Sequence, residues 1–173
     1  LIPNLKGAER ALESELDGLR LVVCVSESYN QKNVGKSVEE SLLELEGVLK
    51  LAEQKSTPVD VAIGLSIGCP LEGPVSPRKV LSLVERLVDK GFEEVTIADT
   101  VGVANPQQVG EMMRQLLARF PSVVFALHFH DTRGLGLANV LAGLEEGVTH
   151  FDSSIGGMGG CPVNPGATGN IAT

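Results

Sequence analysis

The feature that most constrains the fold is a repeated alternation of short β-branched runs with amphipathic helical stretches. Strands are predicted over 21–26, 59–66, 94–98, 123–129 and 149–154, so successive strands begin 38, 35, 29 and 26 residues apart. That spacing is the length of one strand-plus-helix unit. Because the strands are apolar almost throughout, they indicate a parallel sheet covered by helices.

The helices between these strands have recognisable starts. Ser37 and Glu40 form a predicted capping box, and the apolar residues that follow recur at helical spacing. Pro77 and Pro106 each follow a residue that favours the helix cap, which places proline at the first helical position. The pattern also predicts two further helices, over 4–18 and 134–146.

Two architectures fit such repeated units: a doubly wound open sheet and a (β/α)8 barrel. Polar residues follow the ends of all the predicted strands, and a barrel active site draws its residues from many strand ends. An open sheet would gather them at one switch point. The polar residues that favour the barrel are Ser26, Glu27, Ser66, Asp99, His128, His130, Ser153 and Ser154.

The length predicts an incomplete barrel. A complete barrel takes about 250 residues, whereas 173 residues hold about five to six of eight βα units. We therefore expect residues 1–173 to be one incomplete catalytic barrel domain. The absence of an initiator methionine agrees with a piece of a longer protein. The open edge is expected to promote association, with a homodimer as the expected assembly.

Composition excludes several classes of protein. Lys and Arg number 14 against 22 Asp and Glu, a net charge of −8, and aromatic residues make up 3%. This balance argues against nucleic acid or an anionic membrane as a partner. No apolar run approaches the roughly 20 residues that span a bilayer. Three cysteines and no signal-peptide pattern indicate a cytoplasmic protein, or a mitochondrial or peroxisomal one in a eukaryote.

The segment ALHFHDTRG, residues 126–134, carries a candidate metal site. Side chains alternate along a strand, so His128 and His130 point the same way while Phe129 points opposite. Two imidazoles on one face can bind one metal ion. The alternative is one hydrogen-bonded core histidine and one surface histidine. Their position at a strand end favours the metal.

A second candidate lies in GGMGGCPVNPGATGN, residues 156–170, whose six glycines predict a mobile loop. Cys161 on this loop is placed to cover a substrate and to donate or take a proton. Asp99 ends a strand and is interpreted either as a catalytic or binding group or as a cap for the turn that follows. Further candidate pocket residues are Asn4, Glu27, Ser66 and Thr96.

Taken together, six segments of this chain resemble the 3-hydroxy-3-methylglutaryl-CoA lyase family in order and spacing. They cover essentially the whole chain, and the glycine-rich loop with its Cys-Pro pair is the most specific. The segments are PNLKG (3–7), VSES with QKN (25–33), GCPLEG (68–73), IADTVGVANP (97–106), HFHDTRGLGLAN (128–139) and DSSIGGMGGCP with GATGN (152–170).

The resemblance implies a (β/α)8 barrel that needs Mg²⁺ or Mn²⁺ and cleaves 3-hydroxy-3-methylglutaryl-CoA to acetyl-CoA and acetoacetate. It assigns His128, His130 and Asn170 to the metal. It assigns catalysis to Cys161, to Asp99 and to His128, with either of the last two as the base. It assigns substrate binding to Asn4, Glu27, Ser66 and Thr96, and Arg133 is a further expected substrate-binding residue.

Two departures from the family qualify these expectations. Its first strand carries an Arg-Asp pair that this sequence does not contain, and Arg133 stands where the family has Tyr. The 173 residues alone are therefore expected to be inactive, as a fragment or a non-catalytic binding domain. Because Arg133 leaves the acyl group of the substrate undecided, a lyase that acts on a citramalyl-CoA type of thioester is an alternative. The isopropylmalate and homocitrate synthases share the His-x-His pair but have Asn in place of Asp131 and lack the Cys-Pro loop.

Overall fold

The computed structural model describes residues 1–14, 16–161 and 164–173. Within them the helices are α1 (Leu5–Leu12), α2 (Glu27–Val34), α3 (Val38–Glu53), α4 (Pro77–Asp89), α5 (Pro106–Arg119) and α6 (Gly136–Glu145). The strands are β1 (Leu19–Cys24), β2 (Val59–Gly64), β3 (Gly68–Cys69), β4 (Gly73–Pro74), β5 (Glu94–Asp99), β6 (Val124–Phe129), β7 (His150–Asp152), β8 (Gly160–Cys161) and β9 (Asn164–Thr168). Among the described helices, none is both long and apolar enough to cross a membrane.

The main sheet is parallel and has the strand order β1-β2-β5-β6-β7. These are the strands predicted from the sequence, each within two residues at either end. Consecutive strands are neighbours, and helices connect them, so every crossover carries the chain across the same face of the sheet. The carboxyl ends of the strands consequently meet at one edge, which is where the candidate site residues follow them.

The two faces of the sheet differ in side-chain size. Odd-numbered positions such as Leu21, Val95 and Leu127 are buried and pack against α3, α4 and α5 in the main apolar core. Even-numbered positions such as Ala62 and Ala98 face the opposite side, where they line a cavity. The amphipathic helices and Met112 with Met113 contribute to the core, as their spacing predicts.

The helix starts follow the predicted caps. The Ser37 hydroxyl accepts a hydrogen bond from the Glu40 N–H at 3.1 Å, and the Glu40 carboxylate accepts the Ser37 N–H at 2.8 Å. Helix α1 is shorter than the predicted 4–18. It ends at Leu12, after which the Ser14 N–H bonds to the Ala11 carbonyl and the exposed chain leads into β1.

Two local structures were not expected. Helix α2 has no strong apolar stripe, but Ser26 caps it, Tyr29 is buried beneath it and Gly35 ends it at φ 72°. In the described parts of the predicted mobile loop over 156–170 there are a 3₁₀ turn at Ile155–Gly157 and the antiparallel hairpin of β8 and β9, while residues 162 and 163 lie outside the described residues. Backbone hydrogen bonds within the segment supply the order that its glycines alone would not.

Candidate active site

A cavity of about 390 Å³ lies on the inner face of the sheet, towards the carboxyl ends of the strands. Small residues of β2 and β5 form its floor, which leaves room for a ligand. Larger polar side chains from several elements surround that floor. They are Arg20, Tyr29, Thr96, His128, His130, Asp152 and Cys161.

The two imidazoles of the HFH segment lie on the same face, as predicted. The ring centroids of His128 and His130 are 5.2 Å apart, with the planes inclined at 69°. His130 is only 6% exposed. Burial and the neighbouring His128 lower the pKa of His130 below its ordinary 6.5, although a hydrogen bond to the Gly169 carbonyl opposes the shift. His130 is therefore neutral near pH 7, the form that binds metals.

Each ring has its Nδ1 atom next to a protein acceptor. Nδ1 of His128 lies 3.2 Å from an oxygen of Asp152, and Nδ1 of His130 lies 3.1 Å from the Gly169 carbonyl oxygen. An acceptor at Nδ1 selects the tautomer with its proton there and its lone pair on Nε2. Within the described residues neither Nε2 has a hydrogen-bond partner. Both rings thus present a free nitrogen to the cavity.

Asn170 joins this pair through the backbone. It forms an antiparallel bridge with His130, flanked by hydrogen bonds from Asp131 to Gly169 and from Ile171 to Phe129. Residues opposed in this way project their side chains to the same face. The Asn170 amide nitrogen donates to the Met158 carbonyl at 3.0 Å. Its Oδ1 is buried and, in the described part of the chain, has no hydrogen-bond partner.

These donors fit a divalent cation. Two imidazole nitrogens and a buried, unsatisfied carboxamide oxygen are ligands that Mn²⁺ accepts readily and Mg²⁺ accepts with added water or substrate oxygens. A buried polar atom without a partner is unusual in a native fold, and a bound cation would satisfy this one. No group of three His, Cys, Asp or Glu side chains in the described ranges is arranged to hold an ion, so Asn170 is needed to complete the set.

The thiol of Cys161 faces the same cavity. It lies at the start of the β8–β9 hairpin, and its sulfur is 3.1 Å from the Tyr29 hydroxyl oxygen. Burial and then the contact with Cys161 raise the pKa of Tyr29 above its ordinary range, so the phenol stays protonated and can donate to the sulfur. Cys24, beneath them, has its pKa raised to about 12 by burial and is inert.

The glycines of the loop allow it to approach the site closely. Gly159 has φ 130°, and a Cβ built there would lie 2.4 Å from the Asn170 amide nitrogen. A Cβ at Gly157 would lie 2.8 Å from the Asn170 carbonyl oxygen. Both positions have a positive φ that disfavours other residues. The loop composition therefore follows from packing against Asn170.

Asp99 does not join the cavity. Its carboxylate accepts the N–H groups of Val103 at 3.1 Å and Ala104 at 2.9 Å, on the far side of the strand from the imidazoles. Burial raises the pKa of Asp99 above its ordinary value, and these backbone donors oppose that shift. Of the two interpretations of the sequence, the structure matches the cap of the turn, and the geometry gives no support to Asp99 as the base.

Three predicted pocket residues also serve the backbone instead of the cavity. Asn4 caps α1 by accepting the Gly7 N–H at 2.8 Å, and Glu27 accepts the Val38 N–H at the start of α3 at 3.0 Å. Ser66 is fully buried and donates to the Ile63 carbonyl at 2.7 Å. Their positions in the structure are those of caps and turns, away from the candidate metal ligands.

The two remaining predicted substrate-binding residues lie in different places. Thr96 lines the cavity from β5, two residues before Ala98 on the same face of the strand. Arg133 is exposed and lines a separate groove of about 490 Å³ with Cys69 and Thr132, where its guanidinium donates to the Val103 carbonyl at 3.4 Å. The structure thus brings together His128, His130, Asn170, Cys161 and Thr96.

Sequence reasoning missed three residues of this site: Arg20, Tyr29 and Asp152. Asp152 and Arg20 occupy inward positions on β7 and β1, where an apolar side chain is the usual choice. An ionisable residue at such a position is a signal that the alternation of the strand could have revealed. Tyr29 gave no signal, because the polar helix that carries it was not predicted.

A parallel strand–helix sheet whose inner face carries imidazole, carboxamide and thiol groups at its carboxyl edge defines an α/β-barrel protein with its site in the usual place for that fold. The comparisons with known proteins agree. The sequence model described as HMGL-like matches residues 1–173, and the chain belongs to this family.

Two curated relatives and one solved structure illustrate the similarity. The chain is 44% identical to hydroxymethylglutaryl-CoA lyase YngG of Bacillus subtilis and 41% identical to (R)-citramalyl-CoA lyase of Chloroflexus aurantiacus. Both alignments cover 100% of this chain, but 58% and 55% of the relatives. The structure of an HMG-CoA lyase from Acinetobacter baumannii, in complex with coenzyme A and 3-methylmalate, has a TM-score of 0.93 at 42% identity.

That alignment covers 99% of this chain and 56% of the Acinetobacter chain, so this chain spans about half the length of its relatives. Its main sheet is part of a (β/α)8 barrel, as predicted.

Proposed function

We propose that the full-length protein is a divalent-metal-dependent carbon–carbon lyase that cleaves 3-hydroxy-3-methylglutaryl-CoA to acetyl-CoA and acetoacetate. The observation that carries this proposal is that His128, His130 and Cys161 line one cavity, while Asn170 is bridged to His130 through the backbone. A relative named for this activity, 44% identical over the whole chain, supports the same reaction.

The residues on this chain account for the first step. His128, His130 and Asn170 would hold the ion, which when bound lowers the pKa of the substrate's tertiary hydroxyl and orients it. Loss of the hydroxyl proton starts the cleavage, and the bond then breaks towards the thioester. Of the two residues predicted as the base, His128 lies in the cavity and Asp99 is turned away. Because the proposed ion takes the Nε2 lone pair of His128 and Nδ1 carries the ring proton, His128 serves to hold the ion, and neither predicted base is assigned the removal of the proton.

The residues around Cys161 account for the second step. Cleavage leaves the enolate of acetyl-CoA, which must gain a proton on carbon before it leaves. Cys161 donates that proton: its S–H bond breaks, a C–H bond forms, and the proton removed from the hydroxyl restores the thiol. Tyr29 donates a hydrogen bond to the sulfur while it carries the negative charge. The hairpin that holds Cys161 also shields the enolate from water.

An acyl-CoA substrate is the part of this proposal with independent support. The Acinetobacter structure contains coenzyme A and a branched hydroxy-dicarboxylate, and the Chloroflexus relative is named for another branched hydroxyacyl-CoA. The 41% identity to the Chloroflexus relative is the observation that favours citramalyl-CoA as a second candidate.

The test is a product assay on the full-length protein with Mn²⁺ or Mg²⁺. Purified protein incubated with 3-hydroxy-3-methylglutaryl-CoA is expected to release acetoacetate, and EDTA is expected to stop the release. Citramalyl-CoA in a parallel reaction would give pyruvate if the second candidate is correct. Release of neither product in the presence of metal would refute both candidates. The 173 residues by themselves are expected to show no turnover, and metal-dependent turnover would contradict that expectation.

A further inference from the structure

A chain of charged groups crosses the inner face of the sheet. Arg20 projects from β1, and its Nη1 lies 2.5 Å from Oδ2 of Asp152 on β7. The same Asp152 oxygen lies 3.2 Å from Nδ1 of His128. Because β1 and β7 are the two outer strands of the main sheet, Arg20 reaches across its concave side, beneath the candidate metal ligands, to make this contact.

The position of Asp152 is fixed by the strand register. Asp152 pairs with His128 across β6 and β7, so the two side chains leave the sheet side by side and on the same face. The carboxylate can therefore accept the Nδ1 proton without any change in the backbone. This contact fixes the tautomer and also the rotation of the ring about its long axis, and both decide where Nε2 points.

Arg20 supplies the positive charge that a half-buried carboxylate needs. The carboxylate is half-buried, and its Oδ2 atom contacts both Nη1 of Arg20 and Nδ1 of His128. Arg20 is itself held by its Nε atom, which lies 2.7 Å from Oδ1 of Asp60 at the start of β2. The guanidinium is thus anchored on one carboxylate and free to orient the other.

We infer that Asp152, oriented by Arg20, is a positioning residue that holds His128 with its proton on Nδ1 and its Nε2 lone pair directed at the cation. The inference rests on the proposed metal site, and it adds two residues to that site that sequence reasoning did not assign to it. Outer hydrogen-bond partners of a metal-binding histidine typically account for about a 10- to 100-fold difference in metal affinity.

The test uses Asp152→Asn in the full-length protein, because the asparagine keeps the shape and can donate its amide to Nδ1. Such a contact moves the ring proton to Nε2 and removes the lone pair. Two quantities are measured: the tautomer of His128, by ¹⁵N NMR of metal-free protein labelled at histidine, and the dissociation constant for Mn²⁺, by EPR. Asp60→Asn is the matched control, since Asp60 touches Arg20 but not His128, and the asparagine oxygen can still accept the hydrogen bond from Nε of Arg20.

We expect Asp152→Asn to shift His128 towards the Nε2–H tautomer and to weaken Mn²⁺ binding by about 10- to 100-fold. Asp152→Glu should restore at least part of the affinity, and Asp60→Asn should stay within about threefold of the parent. Arg20→Met provides a second variant, expected to weaken binding in the same direction, should Asp152→Asn fail to fold by circular dichroism.

Two results would overturn the inference: an unchanged His128 tautomer in Asp152→Asn, or an Mn²⁺ affinity equal to that of Asp60→Asn. The Mn²⁺ affinity of the parent protein tests the metal site separately. If the parent protein binds no Mn²⁺, the proposed function loses its cation, whereas the tautomer measurement on metal-free protein still decides the role of Asp152.

Discussion

The ends of the neighbouring strands β5 and β6 carry polar residues with opposite orientations. Asp99 pairs in register with Phe129, and both are directed towards the helices, where the aspartate caps a turn. Ala98 pairs with His128, and both face the cavity. Adjacent positions on a strand therefore have different roles: the side chain at one stabilises the backbone, and the side chain at the next faces the ligand cavity.

The same division holds for the other polar residues at this edge. Asn4, Glu27 and Ser66 bond to backbone groups, whereas Thr96 and His130 face the cavity. We expect the first group to affect the free energy of unfolding and the second group to affect metal binding and turnover. Substitutions in both groups can test that division, and their expected effects differ widely in size.

The largest effect is expected from Cys161→Ser. A serine hydroxyl is a poorer proton donor than a thiol at neutral pH, so turnover should fall by about 10²- to 10⁴-fold, the range that general acids contribute. Mn²⁺ affinity should hardly change, because the sulfur is not among the proposed ligands. Steady-state kinetics and EPR titration measure the two quantities. An unaltered kcat would remove Cys161 from the mechanism.

The comparison between β5 and β6 is tested most directly by His128→Ala against Asp99→Ala. Loss of His128 should weaken Mn²⁺ binding by more than about 100-fold, beyond the effect of an outer partner. Loss of Asp99 should leave Mn²⁺ binding within about threefold and lower the free energy of unfolding by about 1–3 kcal/mol, because two N–H groups lose their acceptor. Calorimetric titration and urea unfolding separate the outcomes; weakened metal binding in Asp99→Ala would contradict the division.

Asn4→Ala should produce a smaller effect, confined to stability. Removing the side chain that accepts the Gly7 N–H should lower the free energy of unfolding by about 1 kcal/mol, the usual value of a helix cap. Asn4→Ser, which can still accept the same hydrogen bond, is the matched control and should recover most of the loss. A raised KM for the acyl-CoA without a change in stability would instead support a substrate contact.

The smallest expected effect is the pH dependence of the free energy of unfolding that comes from His130. Its pKa is lower in the folded chain than the ordinary 6.5, so the unfolded state binds more protons in that range. The contribution of His130 to the free energy of unfolding is fully present above pH 6.5. It is lost as the pH falls from 6.5 towards the lower pKa of the folded state. The effect is small because the bond to Gly169 offsets part of the shift. Urea unfolding of metal-free protein should show the decline, and His130→Gln should reduce it while His150→Gln should not.

The sequence predicted the main sheet well because strand spacing and apolar runs are local signals. The capping box at Ser37 and the prolines at Pro77 and Pro106 located three helix starts for the same reason. Helix α2 was not predicted because it is stabilised by the buried Tyr29 and by its left-handed C-terminal residue Gly35. Neither residue creates a periodic apolar stripe. The β8–β9 hairpin was not predicted because the segment is rich in glycine, and two of those glycines, Gly157 and Gly159, are required by close contact with Asn170, which is a tertiary constraint.

The candidate site was predictable in part. Alternation along β6 placed His128 and His130 on one face, the glycine-rich loop indicated Cys161, and the resemblance to a known family supplied Asn170. Thr96 and Asp99 are three positions apart on β5, so the same alternation puts their side chains on opposite faces and separates a cavity residue from a cap. Arg20 was beyond prediction, since its contact with Asp152 joins residues 132 positions apart across the concave side of the sheet.

The bridge between His130 and Asn170 has a thermodynamic consequence. The β8–β9 hairpin connects Cys161 to Asn170, so one short segment carries both the thiol and a proposed metal ligand. A molecule that binds one arrangement of that segment more tightly than another changes the affinity of the protein for the cation by some factor. The cation changes the affinity of the protein for that molecule by the same factor. Substrate and metal affinities are then coupled quantities, and neither is a constant of the protein unless the concentration of the other is stated.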